Sequence, residues 1–534
     1  MKNLITSKEM SRKIFNPIFY LIIITALTVF LINTGSLNSI DTLNRLQVTR
    51  SLWTDAPQVL ETDKNGDSSS STVGFSAVGR NGKRYVTWGI GQSLVMLPAD
   101  IFAHNLIKLL SLEGRNPAKL EAGIVSYLTF PLINILSIIA SFQLLKKLDF
   151  NTKQATYGAL SLLFCTSFLH YSQIHQENSL DFLMTTSAYL FHLLWLESNS
   201  ILYLFLGLLP LGFNLLVRLT LAIGNISLGL FTGILIYLRS KVTINDLNST
   251  KKIVIQYLTA AALIYMFFLG IDRFYHWIRF DTFSGSYTTI WAAQMKSLNP
   301  NLPKLFPFST PFQEGFLGFL FSPERSLFLF NPLTIVTLYL SIKNWKNISY
   351  NLRAFLISLV FLLFANIVVH STWFLWGGAG SWGPRYVTNA SQLIGFVAIP
   401  LAIKFTLTNV IEKFIFKTLV IVSFFIQISS VIFDFNLELV QSSIFVIGQR
   451  FINILATVTG NFDNWGLRPT NIPISESQKF ILVAFFPWKN ATGILPAHLA
   501  SALQIAWIIV LLILVYLVFF LVRNTKLNKI DSEA

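Results

Sequence analysis

Runs of apolar residues long enough to cross a bilayer recur along this chain. They constrain its fold more than any other feature. Phe19–Ile32 (FYLIIITALTVFLI) and Trp507–Val522 (WIIVLLILVYLVFFLV) carry no charge at all. A backbone in lipid must satisfy its own hydrogen bonds, which leaves helices or closed barrels. The runs are continuous rather than alternating, and this rules out a barrel. Only 12% of the residues are charged, against about 25% in an ordinary soluble domain. The expected fold is therefore all-α, a polytopic transmembrane bundle with interfacial helices and large outer loops.

Near ~20 residues per crossing, the runs place spans at about 17–34, 121–145, 154–171, 180–197, 200–217, 220–238, 253–271, 327–342, 353–370, 387–405, 416–434 and 502–522. That makes about 12, with the 180–217 pair separated only by ESNS. Lys2, Lys8, Arg12 and Lys13 precede the first run, and no small-residue cleavage site follows it. It reads as an uncleaved span with the N-terminus inside. The segment 79–110 is long enough to span but holds Gly89, Gly91, Pro98, Asp100 and His104. Were it to span, Lys146, Lys147 and Lys153 would fall outside, so it reads as an interfacial helix or re-entrant hairpin.

With that parity, the short inner loops collect Arg239, Lys241, Lys251 and Lys252, then Lys343, Lys346 and Arg353, then Lys404, Lys413 and Lys417. Both termini are then cytoplasmic. The formal net charge of +15 follows from these loops and from affinity for anionic lipid or phosphate, with no call for nucleic acid. Four polar-aromatic segments, 35–120, 272–326, 371–386 and 435–500, fall on the outer side. Mass on one face argues for chemistry on that face. Cys165 is the single cysteine, which excludes disulfides and cysteine-held metals.

The stretch 35–57 follows the first span. From Ile40 it takes a helical rhythm, with Ile40, Leu43, Leu46 and Trp53 apolar and Asp41, Arg45 and Thr49 on another face. Asp41 at the mouth of a membrane helix can act as a general base; it can equally be a helix cap or an i,i+4 partner of Arg45. In HYSQIHQENSLDF, His175, Glu177 and Asp181 lie between two spans. They can orient an acceptor or serve as a second acid, or they form only a polar turn. No metal site is expected; a divalent cation is possible there but has no further support.

Arginines mark the outer ends of later spans. Arg218 lies between two apolar runs with no real loop, where an unpaired charge is costly. Arg325 sits in SPERSLFLFNP. Arg385 sits in WGGAGSWGPRYV beside Gly377, Gly378, Gly380 and Gly383. With Lys83 and Arg84 of NGKRYVTWG, these cations suit donor-phosphate oxygens. The plain alternative is snorkelling to lipid headgroups.

In order and topology, the motifs SIDTLNRLQVTRSLW, NGKRYVTWGIGQSLVMLPADI, SPERSLFLFNP and WGGAGSWGPRYV resemble the GT-C superfamily of membrane glycosyltransferases. The likeness is to the glycosyltransferase family 39-like group, protein O-mannosyltransferases and aminoarabinose transferases. It covers most of residues 1–405 as a catalytic module, with 406–534 as further C-terminal spans. The resemblance implies a sugar donor on a polyprenyl phosphate and inverting transfer at the outer, periplasmic face of a bacterial inner membrane. Asp41 would be the base, and Lys83 or Arg84, with Arg385, would contact the phosphate. It implies no required cofactor, and a lipid, glycan or protein as acceptor. One departure is that Asp41 is followed by Thr42, where many relatives carry a second acid, so Glu177 becomes the substitute candidate. The competing class is a transporter or flippase of a lipid-linked or anionic substrate. That function would place charges along a through-path, and only Arg218 approaches mid-membrane depth. The enzyme reading makes one structural demand: Asp41, Glu177 and Arg385 must converge.

Overall fold

A computed structural model describes residues 16–59, 75–112, 117–243, 247–378, 380–434, 437, 441, 445–459 and 496–527. The basic N-terminus, the Ser-rich stretch 61–72, most of 435–500 and the tail beyond 527 lie outside the described residues.

The described chain is a polytopic helical membrane bundle. Seven described helices are long and apolar enough to cross a membrane: Pro117–Lys147, Leu219–Arg239, Thr250–Phe280, Tyr350–His370, Arg385–Lys404, Val410–Ile432 and Ala497–Thr525. Pro17–Ile32, Ile201–Val217, Leu333–Lys343 and Val446–Thr459 are shorter apolar helices. Some expected spans are interrupted. The 154–171 run divides into Thr152–Cys165 and Phe168–Ile174, and Asn331 Oδ1 accepts the Ser167 amide at the gap, 2.9 Å away. The 327–342 run breaks between Leu327–Phe330 and Leu333–Lys343, where Pro332 has no amide to donate.

Local sequence sets the helix starts. The Asn16 side chain accepts the Ile18 amide, and Pro17 occupies the first turn. Asn151 and Gln154 form a reciprocal capping box. Glu177–Ser198 and Ile201–Val217 form a tight hairpin whose turn residue Asn199 is left-handed, at φ 54°. Gly207 allows the two helices their close approach, since a Cβ there would stand 2.4 Å from His192 Nδ1. One apolar core runs through the bundle, from Leu21, Ile24 and Leu31 through Leu145, Leu162, Leu193, Leu359 and Leu401 to Leu514. The last described helix closes on the first: Trp507 Nε1 donates to Leu31 O at 2.9 Å.

The turns fall at two ends. Tyr350–His370 measures about 30 Å along its axis, so its two ends belong to opposite sides of the bundle. At one end Arg239 donates to Leu196 O, Asn351 to Lys147 O and Lys404 to Asp149 O. This end gathers the lysine-rich turns. The other end carries the segments after Ile32, Ile174, Val217, Phe280 and His370.

At that second end lie a helix, Ile40–Ser51, and a short antiparallel hairpin pairing Ser76–Val78 with Arg84–Val86. The hairpin adds two strands to an otherwise helical fold. The next helix, Gly91–Leu109, is not among those long and apolar enough to cross a membrane. It packs on Ile40–Ser51, where Ser93 Oγ donates to Arg45 O at 2.8 Å and Thr49 Oγ1 to Ser93 O at 3.1 Å.

Candidate functional site

The Ile40–Ser51 helix buries polar residues together with Leu46 and Val48 and leaves two of its apolar residues outward. Thr42, Arg45 and Thr49 are buried, whereas Ile40 and Leu43 are 38% and 45% exposed. A helix lying against a membrane protein at the lipid boundary turns apolar residues outward and polar ones toward the protein. Thr42 fixes its rotation by donating to His175 O at 2.8 Å. Asp41, in the first turn, is thereby directed at the bundle.

Asp41 meets Arg385, which is distant in sequence: Arg385 Nη2 lies 2.6 Å from Asp41 Oδ2. The same nitrogen lies 2.9 and 2.8 Å from the two oxygens of Glu177. Glu177 is contacted by two more guanidiniums, Arg45 Nη1 at 2.9 Å and Arg218 Nη1 at 3.3 Å. Three cations and two carboxylates thus share one contact network. Glu177 precedes the apolar stretch of its helix. Burial would raise its pKa, but the charges of Arg385, Arg45 and Arg218 overrule that effect and hold its carboxyl well below the usual range.

The network sits at a small cleft with about 30 Å³ of free space, lined by Glu177, Asp181, Arg218, His370, Arg385 and Asn389 among others. Asp181, one helical turn from Glu177, accepts from Asn214 and Asn389 at 2.7 Å each and from Thr185 at 3.2 Å. Tyr386 is held between two partners. His370 stacks on its ring at 4.4 Å, and the Arg218 guanidinium stands 5.1 Å from the ring centroid.

Arg385 is delivered by the glycine-rich loop. Trp382 is fully buried and packs edge-on against Phe330, 5.0 Å between centroids. Gly378 and Gly383 adopt φ of +90° and +72°, which L side chains rarely tolerate. The loop's glycines also stand close to neighbouring groups. Their close approaches here are to the protein's own side chains: a Cβ on Gly377 would stand 2.9 Å from Arg325 Cγ, and one on Gly383 2.7 Å from Phe330 Cγ.

The remaining sequence candidates lie apart from the network. Arg325 donates to Ser381 O in the loop and pairs with Glu324 at 3.2 Å. It braces the segment that carries Arg385. Lys83 is exposed in the turn of the hairpin, and Arg84 contacts Ser76 Oγ at 3.4 Å. The His175 ring is buried, stacked on Phe130 at 4.4 Å, with Nε2 2.8 Å from Ser126 Oγ. Its backbone has the closer connection to the site, accepting from Thr42 and Gln92. Arg45 pairs with Glu177 rather than with Asp41, four residues away.

Sequence reasoning passed over Arg45 as a partner of Glu177, and over Asn214, His370, Tyr386 and Asn389 altogether. A signal existed for two of them. Asn214 interrupts an apolar run four residues before Arg218, and His370 ends another. Polar side chains at such depth mark a polar cavity. No group of three or more metal-binding side chains occurs among the described residues.

The sequence matches no protein-family model and no curated protein. Three solved structures are similar to this chain. One is the archaeal oligosaccharyltransferase AglB from Archaeoglobus fulgidus in complex with an inhibitory peptide and a dolichol-phosphate, at TM-score 0.43 and 12% identity over 78% of this chain and 56% of that one. Another is ArnT from Cupriavidus metallidurans bound to undecaprenyl phosphate, at TM-score 0.42 and 12% identity over 84% and 73%. The third is the apo form of the Archaeoglobus fulgidus oligosaccharyltransferase, at TM-score 0.43 and 13% identity over 88% and 60%. The chain spans somewhat over half the length of the two oligosaccharyltransferase chains.

Proposed function

We propose that the chain is a membrane glycosyltransferase that moves a sugar from a polyprenyl-phosphate donor to an acceptor at the outer face, with inversion and with Asp41 as base. The observation that carries this reading is the contact of Arg385 with both Asp41 and Glu177. A base and a phosphate-binding cation must border one site for such a transfer, one on each side of the attacked carbon, because that carbon lies between the acceptor and the leaving phosphate.

In the proposed step the acceptor hydroxyl or amine gives its proton to Asp41. Its heteroatom bonds to the anomeric carbon, the bond to the phosphate oxygen breaks, and the phosphate departs with the electron pair. Arg385 and Arg218 stabilise the charge that grows on it. Donor capacity supports this assignment: Arg385, which lines the cleft, has a buried Nε with no hydrogen-bond partner among the described residues. Glu177 acts as the counter-charge that fixes the guanidiniums, and Asp181 with its amide partners Asn214 and Asn389 shapes the acceptor side.

The test is transfer of labelled sugar from a polyprenyl-phosphate donor by the purified full-length protein and its Asp41→Asn variant. Loss of a general base costs about 10²–10⁴-fold, and that loss is expected with the fold intact. Unchanged turnover in the variant removes Asp41 from the mechanism.

A further inference from the structure

A second concavity lies at the opposite end of the bundle. It has a volume of about 500 Å³ and is lined by Asp149, Lys346, Ser349, Tyr350, Arg353 and Lys404 among others. It lies near the far ends of two helices that reach the carboxylate network, Tyr350–His370 and Arg385–Lys404.

Its charge is unbalanced. Nearby Lys147 and Lys343 pair with Glu197 and Glu412. Lys346, Arg353 and Lys404 have no carboxylate partner among the described residues. Lys404 Nζ donates to Asp149 O at 3.1 Å, and Arg353 Nη2 to Lys346 O at 2.7 Å. These are carbonyl contacts, which orient the cations without neutralising them. Arg353 Nε is buried and has no hydrogen-bond partner among the described residues. Tyr350–His370 also begins here; Ser349 takes the Leu352 amide, and the rest of the first turn adds positive potential.

Exposed apolar and aromatic residues occur in the same turn and the helix ends beside it, Tyr350 among the lining residues. Ile342, Trp345 and Tyr350 are 76%, 38% and 43% exposed, and Arg353 lies 5.9 and 5.6 Å from the Trp345 and Tyr350 ring centroids. Exposed aromatics beside cations at a helix end are the pattern of a membrane–water boundary. Lysines that merely obey the positive-inside tendency need no pocket. Here two lysines and one arginine converge on a single hollow against one acid, Asp149, and that excess of positive charge calls for a ligand of opposite charge.

We propose that this pocket binds the phosphate of an anionic membrane lipid in the leaflet opposite the carboxylate network. Basic pockets between membrane helices recognise such headgroups by charge. The same chemistry suits a soluble phosphate, so the experiment separates the two sources.

Full-length protein is purified in a neutral detergent and studied by native mass spectrometry and thermal unfolding with phosphatidylglycerol, phosphatidylcholine or inorganic phosphate. The comparison variant is Lys346→Gln/Lys404→Gln, which spares Arg353 and its contact with the turn; the unfolding curve without lipid checks that it folds. Retention of phosphatidylglycerol by the wild type, reduced about ten-fold or more in the double variant, is the expected result. Competition by inorganic phosphate against bound phosphatidylglycerol supports recognition through the phosphate. Equal retention by both proteins, or equal retention of phosphatidylcholine, overturns the proposal. Stabilisation by inorganic phosphate with no retained phosphatidylglycerol overturns the lipid as ligand.

Discussion

Arg385 touches both acids of the network through one nitrogen, and Arg45 reaches Glu177 from a fully buried position. Removing the charge of Glu177 therefore strands guanidiniums. Glu177→Gln is expected to cost about 3–5 kcal/mol of stability, the usual cost of breaking a buried pair from one side, measurable by denaturation in detergent. The pH dependence follows from the same contacts. The folded pKa of Glu177 is depressed, so its stabilising contribution is complete above the ordinary carboxylate range. It is lost as pH falls from about 4.3 toward the folded pKa. The gap in unfolding temperature between wild type and Glu177→Gln should narrow over that interval. Arg385→Lys keeps the charge but loses the planar fork. We expect kcat/KM to fall by about 10² or more, with less loss of stability than Glu177→Gln causes.

At the scale of the element, the loop 377–384 decides where Arg385 sits. Gly383 has φ +72° and faces Phe330. Gly383→Ala meets both a left-handed backbone, which costs about 1–2 kcal/mol, and a clash with a buried ring. It should lower transfer activity more than Gly82→Ala, since Gly82 shares the positive φ but has open space around it. The helix Ile40–Ser51 was legible from its period, because 3.6-residue spacing is a local property. Which face it buries was not. Leu43 is exposed and Arg45 buried, the reverse of the roles expected in water, because Arg45 is drawn inward by its pairing with Glu177.

At the scale of the molecule, the bundle separates an acid–arginine end from a lysine-rich end. Orientation can be read with single cysteines, since the native Cys165 is buried. Lys304→Cys and Lys413→Cys lie at exposed sites on opposite ends. An impermeant maleimide on intact cells should label the first and spare the second; the reverse pattern would turn the proposed outer site to the cytoplasm. The helical class and most helix positions followed from the sequence alone, because lipid forces an apolar run to satisfy its own backbone wherever it stands. The same is true of the clustering of lysines in short turns, which a simple charge bias makes readable. The site is different. Asp41, Glu177, Arg218 and Arg385 come from four separated segments, and each taken singly fits a cap, a polar turn or a snorkelling cation. Only packing chose the partners, taking Arg45 from Asp41 for Glu177 and bringing Arg385 to both acids, because a charge buried at a helix end must find its counter-charge in space rather than along the chain.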